Sequence, residues 1–550
     1  MKDQVKVDCA PSPVESCDSN GSLSLEKNHG GAPLHNDESE DEPIQTILSA
    51  RGKPVKVWAD FDDAMDLADK ASDLELTPEE DKKLCRKIDL HMFPLMSLLY
   101  AIQYMDKTSN GNAAIMGLIT DLKMVGDQYS WASSAFYFGY LGGLFVLPPL
   151  LQKSKYFMKT LAAIIILWGM VLTVHAAPNV NFASFVFLRC LLGFLESAIT
   201  PAFTVITAQY WRKEEHFLRI CIWFGFNGFG AIWGCSIAYG LFIRADVYSI
   251  PAWKIVFIVN GCITVFVGFL MLFILPDAPQ KAWFLSKREK LLLILRIKGN
   301  QQGFGNHHIK KHQIWEAFRD LRTWIYFFYA ISASIPNGGI TNFQTILLHG
   351  DFEYTTKQTL VISIAISFVS WLGVPLFGYA SSYYLKKKSK YLGSCLIWSI
   401  ISLVIVLLGV CLLAFLESSK QGRLAGLVFI LLSPVALISV LANISANTLG
   451  YTKKWTVMSI MLIGYCAGNI AGPHTFIESQ APHYQGAKVT LVVCFAVGIA
   501  LLTGLYILNV SENKKRDRYA MENTMEENAI QNIEFADLTD FENPLFRYTL

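Results

Sequence analysis

Twelve long apolar stretches alternate with short polar ones along the chain, six on each side of a charged gap. They fall at residues 90–110, 131–151, 158–177, 182–209, 218–243 and 253–275, then at 324–349, 359–384, 391–416, 424–450, 455–478 and 489–510. Each is about 20 residues or longer, enough for a helix to cross a hydrocarbon core of ~30 Å. The pattern predicts an all-α membrane protein with twelve transmembrane helices in two six-helix bundles. Its zones are a disordered cytosolic N-terminal tail over 1–88, a first bundle over 89–276, a central cytosolic loop over 277–322, a second bundle over 323–511 and a cytosolic tail over 512–550. Within the first zone, Thr77 and Pro78 suit the cap and first turn of a short helix leading to the membrane.

Charge then orients the pattern. Lysine and arginine gather before the first span (Lys82, Lys83, Arg86, Lys87), in the 2–3 loop (Lys153, Lys155, Lys159) and through the central gap to Arg322. The 8–9 loop, Lys453, Lys454 and the C-terminal tail repeat the pattern. All lie on one side if the spans alternate, whereas the opposite loops carry scattered charges such as Lys107, Lys123 and Arg423. The positive-inside rule therefore puts both termini in the cytosol. The acidic run 37–42 reads as a solvated arm. His307, His308 and His312 suggest a metal at first sight, but their basic surroundings favour a solvated linker, and no metal site is expected. The cysteines form no C-x-x-C pair and read as small packing residues.

Glycines mark close helix contacts. Gly225, Gly228, Gly230 and Gly234 fall in the fifth span, and Gly464, Gly468 and Gly472 in the eleventh. These two helices, one from each half, are expected to form surfaces that rock against a partner, with Pro473 breaking or bending the eleventh.

Ionisable groups at membrane depth are costly and usually functional. Arg189 and Glu196 lie about two turns apart on one face of the fourth span. A permanent cation suits an organic anion, and a titratable carboxylate suits a proton. Asp106 and Lys107 end the first span, near the outer surface by this reading, and Asp106 is a second candidate for proton coupling. Asn227, Asn337, Asn342 and Asn469 are neutral amides able to orient cargo by hydrogen bonds. His474 is a candidate sensor of external acidity.

These residues, taken together, resemble one fungal family. They include Met105-Asp-Lys-Thr108, Arg189-x-x-x-Gly193-x-x-Glu196 followed by Pro201, Ile335-Pro-Asn-Gly-Gly339 with Asn342 and Phe343, Gly450-Tyr-Thr-Lys-Lys454, Gly468-Asn-Ile-Ala-Gly-Pro473, and Asp537-Leu-Thr-Asp540 with Phe546-Arg-Tyr548. The chain is similar to the allantoate permease family of anion:cation symporters, within the major facilitator superfamily. The superfamily's glycine- and aspartate-containing motif between spans two and three is absent here.

The resemblance implies a major facilitator fold and proton-coupled import of a small organic anion at the plasma membrane. Allantoate, nicotinate and other vitamins or amino-acid derivatives are the cargo classes it suggests. Partners would be the anion, protons and the lipid bilayer, with no nucleic acid, no cofactor and a monomeric chain. A nutrient sensor on a transporter scaffold and a proton-driven exporter are the alternatives. No Walker loop, nucleophile elbow or metal motif points to an enzyme.

Overall fold

The computed structural model describes residues 45–48, 54–57, 76–154, 156–298, 310–387, 392–416, 419–522, 538–543 and 545–550. The acidic run 37–42, His307 and His308 lie outside the described residues. Within the stretch expected to be a disordered tail, β1 (Gln45–Leu48) pairs antiparallel with β2 (Pro54–Val57). Thr77 caps α1 (Pro78–Ala113) through a capping box with Glu80, and Pro78 begins it. This is no separate lead-in helix, since α1 runs straight on into the first span.

Along the first half follow α2 (Gln128–Lys153), α3 (Phe157–Val174), α4 (Phe182–Glu196), α5 (Ile199–Tyr210), α6 (Lys213–Ile243) and α7 (Ala252–Ile274). The central gap holds α8 (Lys287–Lys298) and α9 (Lys311–Arg319). The second half comprises α10 (Leu321–Gly350), α11 (Thr356–Lys386), α12 (Cys395–Phe415), α13 (Lys420–Ile430), α14 (Pro434–Asn447), α15 (Tyr451–His474) and α16 (Gln485–Glu522).

Ten passes among the described residues are long and apolar enough to cross a membrane, with α4–α5 and α13–α14 each making one pass. The two further passes are α1 and α10, of 36 and 30 residues. Each spends interior positions on polar groups: Gln103, Asp106, Lys107, Asn110 and Asn112 in α1, and Ser334, Asn337, Asn342 and Thr345 in α10. The same choice lowers their hydropathy and supplies their chemistry.

The fourth and tenth passes are broken, each four residues before a proline. Pro201 has no N–H for the Ser197 carbonyl, and Pro434 none for Ile430, so the hydrogen-bond ladder stops there. Of the two outcomes expected for Pro473, breaking and bending, the structure shows the first: it occupies the last turn of α15, which ends at His474.

Helices α6 and α11 form the main contact between the halves, and α2 and α15 form another. Gly228 lets the first pair meet, because a Cβ there would stand 2.8 Å from the Ser367 carbonyl oxygen. Gly464, Gly468 and Gly472 face α10, within their own half. The α2–α15 contact is built instead from Ser134, whose Oγ donates to the Ile470 carbonyl (2.9 Å), and from Tyr137 and Tyr140 beside Tyr465.

At the end of the bundle where α1 starts and α16 finishes, basic and acidic side chains interlock. Arg296 bridges Asp81 (2.6 Å) and Glu215 (2.7 Å), and Lys87 meets Glu289 at 2.7 Å. The tail is also ordered there. Asp540 pairs with Lys453 at 2.6 Å, Tyr548 lies against Arg322, and Thr549 bonds Asn447. His312 stands 3.6 Å from Glu542.

Candidate functional site

A cavity of about 100 Å³ lies between the halves, lined by α1, α2, α5, α6, α10, α11, α13, α14, α15 and α16, with the broken segment Leu431–Ser433 in its wall. Thr200, beside the other break, also lines it. The halves meet on both sides of this space. Towards the termini, Ser445 of α14 bonds His216 of α6 at 3.1 Å. Towards the other end, Thr345 donates to the Gly111 carbonyl (3.0 Å), Asn110 to Asn342 (3.3 Å) and Tyr129 to the Asn342 carbonyl (3.1 Å).

One ion pair marks the cavity wall. Lys107 Nζ stands 2.8 Å from Glu196 Oε1, and Gln103 Nε2 donates to the same oxygen at 2.7 Å. Lys107 is only 15 % exposed and Glu196 is fully buried. The other carboxylate oxygen, Oε2, has no partner among the described residues. Gly193 seats the helix that carries Glu196, because a Cβ there would overlap the Phe136 carbonyl of α2. Lys107 therefore is not an outer-loop charge, and α1 does not end at it. The side chain points inward from a helix that continues to Ala113.

Of the residues singled out from sequence, Asn227 and Asn337 line the cavity with Lys107. Glu196 reaches it through Lys107 and Gln103. Arg189, Asp106, Asn342 and Asn469 do not line it. Arg189 is buried behind Phe136, its guanidinium 5.4 Å from the ring centroid, while Lys107 covers the same ring at 5.6 Å. Its Nε and Nη1 have no partner among the described residues, and Asp106 and Glu196 both act on it electrostatically. Asp106 is fully buried and accepts from Trp168 Nε1 at 2.8 Å. The structure thus gathers two basic side chains, Lys107 and Arg189, and two acidic ones, Asp106 and Glu196, into one buried group.

Asn469 holds Asn337 in place: Asn337 Nδ2 donates to Asn469 Oδ1 at 2.9 Å, and Asn469 itself donates to the Tyr465 carbonyl. Asn342 belongs to the contact between α1 and α10. His474 contacts Ser134 (3.3 Å) and the Trp131 ring. Uncharged cavity groups without partners among the described residues include the Tyr329 hydroxyl and Ser334 Oγ. Sequence reasoning missed Lys107 and Gln103 as cavity residues. A signal was available, since Gln103 and Lys107 are four residues apart and share one helical face with the stripe Tyr100, Tyr104.

Among the described residues, no group of three histidine, cysteine or acidic side chains could hold a metal ion.

Comparison with known proteins fits this architecture. The sequence profile of the Major Facilitator Superfamily matches residues 96–473. The allantoate permease of Saccharomyces cerevisiae is 52% identical over 540 residues, covering 97% of this chain and 99% of that protein. An uncharacterized transporter of Schizosaccharomyces pombe is 43% identical over 86% of this chain and 91% of its own length. The thiamine pathway transporter of Saccharomyces cerevisiae is 31% identical over 86% of this chain and 87% of its own length. Among solved structures, a proton:xylose symporter shares the fold with a TM-score of 0.57 at 12% identity, over 77% of this chain and 96% of that one. The protein is a multi-pass membrane transporter of a small organic substrate, not an enzyme, and it belongs to the allantoate permease family of the Major Facilitator Superfamily.

Proposed function

We propose that the protein is a proton-coupled symporter that imports a small organic anion across the plasma membrane, with both termini in the cytosol. The observation that carries this reading is the Lys107–Glu196 pair at 2.8 Å, beside a cavity between the halves. A carboxylate cargo competes with Glu196 for the same ammonium. When the cargo takes Lys107, Glu196 loses its nearest cation, and a proton is the partner that restores the balance. Cargo and proton are thereby loaded by one exchange of partners.

Arg189, behind Phe136, holds positive charge next to Asp106 and Glu196 and sets the balance of the group without touching the cargo. Asp106, held by Trp168, adds a second carboxyl to that group. Asn227 and Asn337 orient the cargo by hydrogen bonds, and Asn469 fixes Asn337. The bundles 89–276 and 323–511 act as the two rocking units, sliding at the α6–α11 and α2–α15 contacts. The basic cluster at the terminal end supports the assignment of that end to the cytosol. The name of the 52% identical permease supports a ureide such as allantoate as cargo, with nicotinate and related vitamins or amino-acid derivatives as the wider class.

Each charge carried inward against a negative interior is worth ~2.3 kcal/mol per 100 mV, so a monoanion entering with more than one proton is drawn in by the potential. The test is uptake of radiolabelled allantoate and a panel of small carboxylates into cells expressing the chain, at external pH 5 and 7, with and without a protonophore. Accumulation should require the acid outside and collapse with the protonophore. Concentrative uptake that ignores the protonophore would overturn the coupling.

A further inference from the structure

A second, smaller cavity of about 40 Å³ lies beside the central one and shares Tyr104, Thr341 and Ser370 with it. That volume is room for about three waters or one small functional group. We propose that this side cavity is a second subsite of the transport site, taking an uncharged hydrogen-bonding group of the cargo, such as a primary amide or a hydroxyl. The proposal rests on the carboxylate reading of Lys107.

Its chemistry differs from that of the central cavity. No aspartate, glutamate, lysine, arginine or histidine lines it. Hydroxyls and amides do, and several lack good partners. Ser363 is 2 % exposed, and its Oγ bonds nothing among the described residues. A buried hydroxyl left so is destabilising, a deficit that a ligand group would remove. Gln344 makes no side-chain hydrogen bond among the described residues, and Asn112 meets only the Cys235 thiol, at 3.6 and 3.7 Å. An amide needs both a donor and an acceptor opposite it, and Ser363, Gln344 and Asn112 together provide both. A second charge would find no counter-ion here.

The placement defines the cargo further. Asn112 lies five residues beyond Lys107 on α1, ~7 Å along the helix axis. The favoured cargo therefore carries its uncharged polar group several bonds from its carboxylate. The walls also come from both halves, α1 and α6 on one side and α10 and α11 on the other. A group seated there touches both rocking units, so its binding free energy depends on how closely they approach. A cargo with that group favours the closed arrangement over the open one, which a simple carboxylate does not.

The test uses the purified full-length chain and two anions of equal length, 4-carbamoylbutanoate and 5-methylhexanoate, which differ in an amide against an isopropyl group. Their Kd values are measured by titration on the wild type and on Ser363→Ala, Gln344→Met and Lys107→Gln. The amide should bind at least tenfold tighter than its isostere. Ser363→Ala and Gln344→Met should each weaken the amide alone, leaving the isostere within twofold, and Lys107→Gln should weaken both. Equal Kd values in the wild type, with both anions lost in Lys107→Gln, would overturn the subsite and leave the carboxylate site standing. Equal weakening of both anions by Ser363→Ala and Gln344→Met would mark the cavity as packing and overturn it too. Absence of binding by either anion would remove the carboxylate reading and this proposal with it.

Discussion

The two halves share a helical plan but place their charges differently. In the first half, Asp106, Lys107, Arg189 and Glu196 meet in the interior of the spans. The second half and the segments packed on it keep their buried ions near the two ends. At one end Asp351 gathers Arg423, His483 and Lys488 within 3.1 Å. At the other, Lys453 gathers Glu316, Asp320 and Asp540 within 3.4 Å. What the second half offers the cavity is neutral: Ser334, Asn337, Tyr329 and the broken α13–α14 segment. The contrast teaches a division of labour. On the proposed mechanism, one half carries the charge exchange, and the other shapes the space and closes over it.

The sharpest way to break this division is to neutralise the interior pair. Removing one partner of a buried pair costs ~3–5 kcal/mol, because the survivor is left uncompensated. Lys107→Gln should lower uptake more than 100-fold and reduce the protein at the cell surface. Glu196→Gln should abolish pH-driven accumulation while exchange of labelled for unlabelled cargo persists. The double variant Lys107→Gln with Glu196→Gln should recover surface amount but not uptake. Normal transport by Lys107→Gln would move the anion site elsewhere, with Arg189 next in line.

The second test acts on closure. Gly228→Val places a branched side chain against Trp371 and Ser367 of the opposite half. Uptake should fall ~10–100-fold while the detergent-purified protein still binds a simple carboxylate such as 5-methylhexanoate, since the loss lies in approach of the halves and not in the Lys107 site. Gly142→Ala is the control, because nothing lies within 4 Å of a Cβ there. An active Gly228→Val protein would remove α6–α11 from the moving contact.

Much of this plan was legible in the sequence, and for a physical reason. Lipid demands long apolar helices with internally satisfied backbones, so the apolar stretches mark all twelve passes. The polar positions of α1 and α10 make these two the least apolar of the twelve, and their packing against other helices is not legible in one dimension. It is why Lys107 reads as a loop charge: one dimension does not show that the Asp106–Lys107 dipeptide precedes a further two turns of helix. The seven-residue spacing of Arg189 and Glu196 puts them on one helix face, yet it does not show that Phe136 comes between Arg189 and the cavity while Gln103 and Lys107 reach Glu196. The breaks at Pro201 and Pro434 were written in residue type. The ordered tail was not, because Asp540 and Tyr548 gain meaning only from Lys453, Arg322 and Arg516, all distant in sequence.

A smaller effect tests the neutral side of the comparison. Asn337→Leu removes an amide from the cavity and frees Asn469 Oδ1. At ~1–1.5 kcal/mol for one hydrogen bond, the apparent KM for the anion should rise about tenfold with little change in the dependence on pH. A shifted pH profile in this variant would mean that the second half takes part in the proton step, and the division would fail.

The smallest effect concerns the ions kept at the ends, for which the comparison predicts a role in stability alone. Asp540 is buried, and burial pushes its carboxyl up. Lys453 at 2.6 Å, the Tyr548 hydroxyl at 2.7 Å and Arg322 outweigh that and hold it below the usual carboxylate range. A carboxyl with a depressed folded-state pKa stabilises the protein above its unfolded value, about 3.9, and that contribution is lost as pH falls through the folded value. Between pH 7 and 5 it should therefore be constant, and it should begin to fall below about pH 4. Asp540→Asn leaves Lys453 with Glu316 and Asp320, so the cost is smaller than for an isolated pair. The thermal midpoint of the purified protein should drop by a few degrees at pH 7. The variant should lose less stability than the wild type between pH 4 and 3, and its uptake between pH 5 and 7 should keep the wild-type profile. Acid unfolding curves that coincide for the two proteins would remove Asp540 from the stability account. A changed uptake profile would show that the terminal-end ions join the transport cycle.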